Sequence, residues 1–107
     1  MNISVLAEEL GLEEEDIRAL VRIFLESTEQ DLDQLARAYT SGDANLLRST
    51  AHHIKGAAGN LEVNVVAAEA LAMEQGVASE NLEDPGPGIA RIRAELDALR
   101  SQLEPDG

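Results

Sequence analysis

Hydrophobic residues recur along most of the chain at steps of three and four, which place them on one face of an α-helix. The longest such series predicts a helix that opens near Glu13 and stops at the turn Thr40-Ser41-Gly42. The acidic run from Glu13 to Asp16 suits the positive end of the helix dipole. The predicted buried stripe of this helix consists of Ile17, Leu20, Val21, Phe24, Thr28, Leu32, Leu35 and Tyr39.

Shorter series on either side predict two neighbouring helices. A short first helix is expected from Ser4 to Leu10, with Ser4 as its N-cap and Gly11 as the left-handed residue after its end. Asp43 is expected to cap a third helix. The apolar residues of this third helix are Leu47, Ala51, Ile54, Ala58 and Leu61.

The remaining part of the chain predicts two more helices and one loop. The fourth helix is expected to begin at Val63 or Asn64, and Gly76 should weaken its last turn. Its apolar residues are Val66, Ala67, Ala70, Leu71, Met73 and Val77. The segment from Glu83 to Gly88 contains two prolines and two glycines and is predicted to be a loop. The last helix has a heptad stripe formed by Ile89, Ile92, Leu96, Leu99 and Leu103.

This pattern predicts an all-α fold, an antiparallel four-helix bundle with a short additional N-terminal helix. Composition favours the same fold, because the abundant Ala, Leu and Glu are strong helix formers. Aromatic residues, which favour strands, make up only 2% of the chain. With 107 residues, the chain is expected to form a single domain over residues 1–107.

The charge balance limits the possible partners. The 21 acidic residues outnumber the 8 basic ones and give a net charge of −13, so nucleic acid and anionic membranes are not expected as partners. The absence of cysteine excludes disulfides and thiolate sites. No apolar run reaches the roughly 18 residues of a membrane span, and no signal peptide follows Met1, so a cytoplasmic location is expected. A monomer is expected, although the heptad stripe leaves dimerisation open.

The third predicted helix contains the residues that indicate a chemical function. At about 100° per residue, its apolar residues face the core, whereas His52, Lys55, Gly56, Gly59 and Arg48 share a solvent-facing sector. Two glycines in mid-helix each cost about 1 kcal/mol and leave the backbone bare beside the imidazole. Lys55 is the only lysine of the chain. An exposed imidazole with cations one turn away is suited to carrying a phosphoryl group.

The string Ala51-His52-x-Ile54-Lys55-Gly56-Ala57-Ala58 resembles the signature of histidine-containing phosphotransfer (Hpt) domains of bacterial phosphorelays. The order of the predicted elements agrees with that family over nearly the whole chain. The resemblance implies that His52 accepts a phosphoryl group from a receiver-domain aspartate or a kinase and passes it to the aspartate of a response regulator. It also implies that Lys55 stabilises the phosphate and that Gly56 lets the partner approach.

The resemblance further implies a carrier with no active site of its own and no cofactor, with Mg²⁺ held only by the partner receiver domain. A hybrid histidine kinase is the other implied partner. The family usually has Gly after the residue matching Leu61, where this chain has Glu62, so the turn is expected to use Gly59 or Asn60 instead. Ser27 is the best match for the polar residue that the family places on the second helix, across from the phosphorylated ring.

Other interpretations remain open for several of these residues. His53 falls outside the glycine sector and is expected to pack or hydrogen-bond on its flank. A metal site formed by His52 and His53 is disfavoured, because adjacent helical residues point about 100° apart. Arg48 can either assist the phosphate or pair with a surface acid.

Two functional hypotheses from different classes follow from the sequence. The first is a phosphorelay intermediate, and the alternative is a non-phosphorylated helical adaptor that docks signalling partners through the same groove. A free-standing enzyme is disfavoured, because the chain has neither a nucleotide-binding glycine loop nor a paired-carboxylate cleft.

Overall fold

The computed structural model describes residues 1–77 and 82–103, and these residues form five α-helices and no β-strand. The all-α fold predicted from the sequence is therefore confirmed. The helices are α1 (Ile3–Leu10), α2 (Glu14–Ser41), α3 (Ala44–Asn60), α4 (Asn64–Val77) and α5 (Gly86–Leu103). None of them is both long and apolar enough to cross a membrane within these described ranges.

The four longer helices form a closed bundle around one core. Each packs against two others, in the order α2, α3, α4, α5 and back to α2, while α1 packs against α2. Helices α2 and α3 are antiparallel, because Asp31 contacts His53 whereas the later residue Gln34 contacts the earlier residue Thr50. The largest fully buried apolar side chains are Ile17, Val21, Leu32, Leu35, Leu47, Ile54, Val66, Ile92 and Leu96.

Polar caps fix the helix ends, and at α1 the cap differs from the prediction. The Oδ1 atom of Asn2 accepts a hydrogen bond from the Val5 amide at 3.1 Å, so Asn2 is the N-cap and Ser4 lies inside the helix. Capping by the amide oxygen of Asn2 lets α1 begin two residues earlier than capping by the Ser4 hydroxyl would. The Asn2 cap is favoured because the helix gains part of a turn. The predicted ends at Gly11 and Gly42 and the predicted cap at Asp43 are confirmed.

The segment from Glu83 to Gly88 was wrongly predicted to be entirely loop, since α5 already begins at Gly86. Pro87 fits there because amides of the first helical turn have no intrahelical acceptor, so a missing N–H costs nothing. The Gly86 amide donates instead to Asp84 Oδ1 at 2.9 Å. In α4, the helix continues past Gly76 to Val77, and residues 78–81 lie outside the described part.

The turn between α3 and α4 differs from the expectation for Gly59 and Asn60, which both remain helical. Glu62 itself adopts the left-handed conformation, with φ of 57°. The Val63 amide then donates to the Ala58 carbonyl at 2.9 Å, which closes the end of α3. The bundle thus imposes on a glutamate a backbone conformation that favours glycine.

Three apolar residues assigned to buried stripes are exposed: Leu20, Tyr39 and Leu71. Leu20 lies about 60° from Ile17 on α2, at the edge of the stripe. Tyr39 lies in the last turn of α2, at the end of the bundle. A position on the apolar stripe therefore leads to burial only where a neighbouring helix covers it.

Candidate functional site

Helix α3 is anchored by its apolar face and presents its polar face to solvent. Ala51, Ile54 and Ala58 are completely buried. His52 and Gly56, which point away from them, are exposed. The helical period thus fixes the direction of the candidate phosphoacceptor, because any rotation of α3 that hid the imidazole would expose the core residues.

Among the described residues, the His52 imidazole makes one side-chain hydrogen bond, to a carboxylate on the neighbouring helix. Its Nδ1 atom lies 3.0 Å from Oε1 of Glu74 on α4, and the His52 side chain keeps 66% of its surface exposed. Because an ionised carboxylate can only accept a hydrogen bond, the proton must be on Nδ1. The Nε2 atom of a neutral ring then carries the free lone pair.

Lys55 binds the other oxygen of the same carboxylate. Its Nζ atom lies 2.9 Å from Glu74 Oε2, and its side chain is 32% exposed, less than the sequence predicted. The Lys55 hydrogen bond lowers the pKa of Glu74; desolvation partly opposes this effect, and His52 adds to it. Glu74 is therefore ionised at neutral pH and holds the imidazole and the ammonium in one cluster.

The two glycines of the sector leave open space beside this cluster. A Cβ atom built on Gly56 or on Gly59 would meet no other atom within 4 Å. Internal packing therefore does not require glycine at either position. The helix backbone remains accessible there to an approaching molecule.

Arg48 and Ser27 are not hydrogen-bonded to the imidazole in the described part of the chain. Arg48 is exposed and donates to Asn45 Oδ1 at 2.9 Å, so within the described residues it pairs with an amide and not with a surface acid. Ser27 is half-buried on α2, and among the described residues no hydrogen bond joins it to His52. The polar group that contacts the ring comes from α4, and the role expected for Ser27 across from the ring stays a prediction.

His53 has a similar arrangement on the opposite flank of α3. Its Nδ1 atom lies 2.7 Å from Oδ2 of Asp31 on α2, and its side chain is 60% exposed. It therefore hydrogen-bonds on its flank, as the sequence predicted. Lys55 forms its ion pair with Glu74, the carboxylate that contacts His52. Within the described residues, Asp31, the carboxylate that contacts His53, has no lysine or arginine partner.

Sequence reasoning missed Glu74. This glutamate lies 22 residues after His52, on a helix whose polar face carried no recognisable motif. The available signal was geometric: α3 and α4 are joined by a short turn, so they must be antiparallel neighbours, and residues equally far from the turn meet. His52 and Glu74 lie 11 residues on either side of Val63.

The comparison with known proteins identifies the family. The Hpt domain family matches residues 19–102, which include α3, α4 and most of α2 and α5. Neither the curated proteins nor the solved structures include a significant match. Hpt domains act as phosphoryl carriers in histidine phosphorelays, where they interact with receiver domains and kinases. Because the match spans well over half of the chain, this protein belongs to the Hpt domain family.

Proposed function

We propose that the Nε2 atom of His52 accepts a phosphoryl group from a receiver-domain aspartate or a kinase and returns it to the aspartate of a response regulator. The observation that supports this role is the contact between His52 Nδ1 and Glu74 on an otherwise exposed ring. It leaves the second ring nitrogen free in the direction of solvent, from which a partner must arrive.

Glu74 prepares the ring for nucleophilic attack. By accepting the Nδ1 proton it selects the tautomer with a lone pair on Nε2, and it limits rotation of the ring. As Nε2 bonds to phosphorus, positive charge develops on the imidazole. An ionised carboxylate 3.0 Å away stabilises that charge.

The transfer step balances without a proton donor or an oxidant. The Nε2 lone pair forms the bond to phosphorus, and the bond between phosphorus and the aspartyl oxygen breaks. The electron pair returns to the aspartate as carboxylate, and the Nδ1 proton stays between the ring and Glu74. The reverse step uses the same atoms, so a single site can both receive and return the group.

Lys55 and Gly56 assist this step from opposite sides of the ring. The Lys55 ammonium supplies positive charge against a phosphoryl group of about −1.5 to −2. Gly56 lies one turn after His52, and its missing side chain lets the partner's backbone reach the imidazole. We assign the Mg²⁺ of the reaction to the partner's acidic pocket and no cofactor to this chain.

The direct test is phosphotransfer from a phosphorylated receiver domain with Mg²⁺ present. The wild-type chain should become labelled, and the His52→Gln variant should not. His53→Gln is a matched control, because His53 is equally exposed and also contacts a carboxylate.

Two outcomes would contradict the proposal. Equal labelling of wild type and His52→Gln would exclude His52, and loss of label only in His53→Gln would move the site to the adjacent residue. If the His52→Gln variant keeps full partner binding and full pathway output, the protein is an adaptor that does not use phosphorylation.

A further inference from the structure

Helix α1 forms a groove with the turn between α3 and α4, away from the site at His52. This groove, here called the α1 groove, has a volume of about 260 Å³ and is lined by Met1, Val5, Leu6, Leu61 and Glu62, among others. Leu6 and Leu61 are buried and form its floor, whereas Val5 is 47% exposed. An apolar side chain half open to water at the edge of an apolar floor is suited to contact with another molecule.

Exposed hydrophobic side chains are concentrated at this end of the bundle. Nine large hydrophobic residues are exposed in the described part of the chain, and seven lie on α1 and its flanks, in the first three turns of α2 or in the first turn of α4. These seven are Met1, Val5, Leu10, Leu12, Leu20, Ile23 and Val65. The uneven distribution indicates a contact surface at this end.

The charged side chains on α1 and at the turn between α3 and α4 are all acidic. The first 17 residues contain six acidic residues and no lysine or arginine. At the turn, Glu62 raises the pKa of Glu9 through a side-chain hydrogen bond and through repulsion between the two carboxyl groups. An apolar floor with carboxylates at its rim complements a lysine or arginine side chain, whose apolar stem ends in a cation.

The α1 side of this surface lies outside the part of the chain that carries the family match. That match begins at residue 19, so the whole of α1 lies outside it. Along α3, Leu61 is nine residues from His52, or about 13.5 Å. A typical interface covers about 800 Å² on each partner, a disc of about 16 Å radius, so a molecule seated over His52 reaches the groove.

We propose that the α1 groove receives a basic side chain from the receiver domain that exchanges phosphoryl groups with His52, and so contributes to the choice of partner. The inference rests on the function proposed for His52. A second copy of this chain is a poorer occupant, because each copy has a net charge of −13 and the acidic rims would meet.

The test measures binding and transfer separately, with a purified receiver domain that binds the wild-type chain. Calorimetry would compare wild type with the double variant Glu9→Gln and Glu62→Gln, and with Glu8→Gln as a control. Glu62 lines the α1 groove and Glu9 is hydrogen-bonded to it, whereas Glu8 lies on α1 and lines a different pocket. Replacement of Glu8 removes one charge of the same kind. The double variant should bind about tenfold more weakly at 0.1 M salt, and the difference should shrink at 1 M salt, where screening is effective beyond about 3 Å.

The apolar part of the inference has its own variant. Val5→Ser should also weaken binding, and this loss should persist at 1 M salt because it does not depend on charge. At saturating concentrations of the phosphorylated receiver domain, both variants should still become labelled at His52. The substitutions change the affinity for the receiver and leave the reacting atoms in place.

Three results would overturn the inference. One is a double variant that binds the receiver as tightly as wild type, and another is a loss of affinity in the double variant that is no larger than the loss in Glu8→Gln. The third is a wild-type dimer in sedimentation that Val5→Ser dissociates, because the occupant is then a second copy. A wild-type chain that binds the receiver through Glu9 and Glu62 but is never labelled would refute the function proposed for His52 and leave the α1 groove as a docking site.

Discussion

Replacement of Gly56 by alanine should stabilise the protein and impair its function. The position is in the interior of α3, and the added methyl group would meet no atom within 4 Å. Alanine is favoured over glycine in a helix by about 0.8–1.0 kcal/mol, so the free energy of unfolding should rise by about 1 kcal/mol. For a domain of this size the melting temperature should rise by about 4 °C.

The same methyl group should obstruct the partner. In the proposed complex the receiver's backbone approaches α3 beside the imidazole, and a side chain on Gly56 lies in its path. Urea unfolding would measure stability, and the initial rate of phosphotransfer from a receiver domain would measure function. We expect a gain of about 1 kcal/mol together with a rate at least about tenfold lower, which corresponds to about 1.4 kcal/mol of lost transition-state stabilisation.

A control must show that stabilisation alone does not slow transfer. Thr28→Val serves this purpose, because Thr28 is 1% exposed in the core and its substitution leaves the surface unchanged. An unchanged transfer rate in Gly56→Ala would refute the role of the bare backbone. A decrease in stability would show instead that Gly56 is required by the fold.

Four other predictions concern side chains with unusual surroundings. Thr28→Val should stabilise the protein by about 1 kcal/mol in urea unfolding, because the Thr28 hydroxyl is buried without a hydrogen-bond partner. Glu62→Gly should raise the free energy of unfolding by about 0.5–1 kcal/mol in urea unfolding, because removal of the left-handed strain outweighs the greater entropy of glycine in the unfolded chain. Glu62 also raises the pKa of Glu9, so it disfavours the ionised form of Glu9 in the folded protein. The advantage of the variant should therefore grow as the pH rises above 4.5. Glu74→Gln should lower stability at neutral pH, and because the pKa of Glu74 is lowered, the difference from wild type should disappear as the pH falls below 4.5 in unfolding scans. Lys55→Ala should slow transfer or shorten the lifetime of the phosphohistidine while the melting temperature changes little, and a large decrease would show that Lys55 is structural.

The sequence predicts most of the fold because helical periodicity and caps are local properties. The steps between Leu47 and Leu61 identify the buried face of α3, and hence the exposed direction of His52, without any tertiary information. The start of α5 was missed because Pro87 was treated as a helix breaker, although a first-turn position tolerates it. Rules on helical periodicity and capping therefore predict a feature of the fold correctly where that feature depends on a single segment of the chain.

The site was less predictable because it depends on how helices pack. The interaction of Glu74 with both His52 and Lys55 exists only once α3 and α4 cross at their observed register. Similarly, the left-handed backbone at Glu62 reflects the connection of α3 to α4 by only three residues, which overrides the preference of glutamate. Neither feature is encoded in the spacing of residues along a single helix.

The measurement closest to the central claim is NMR of the phosphorylated protein with ¹⁵N-labelled histidine. It reports which ring nitrogen bears the phosphoryl group and where the remaining proton is. The proposed mechanism predicts a phosphorus–nitrogen coupling at Nε2 of His52, with Nδ1 still protonated and hydrogen-bonded to Glu74. A phosphoryl group on Nδ1 of His52, or on either nitrogen of His53, would contradict it.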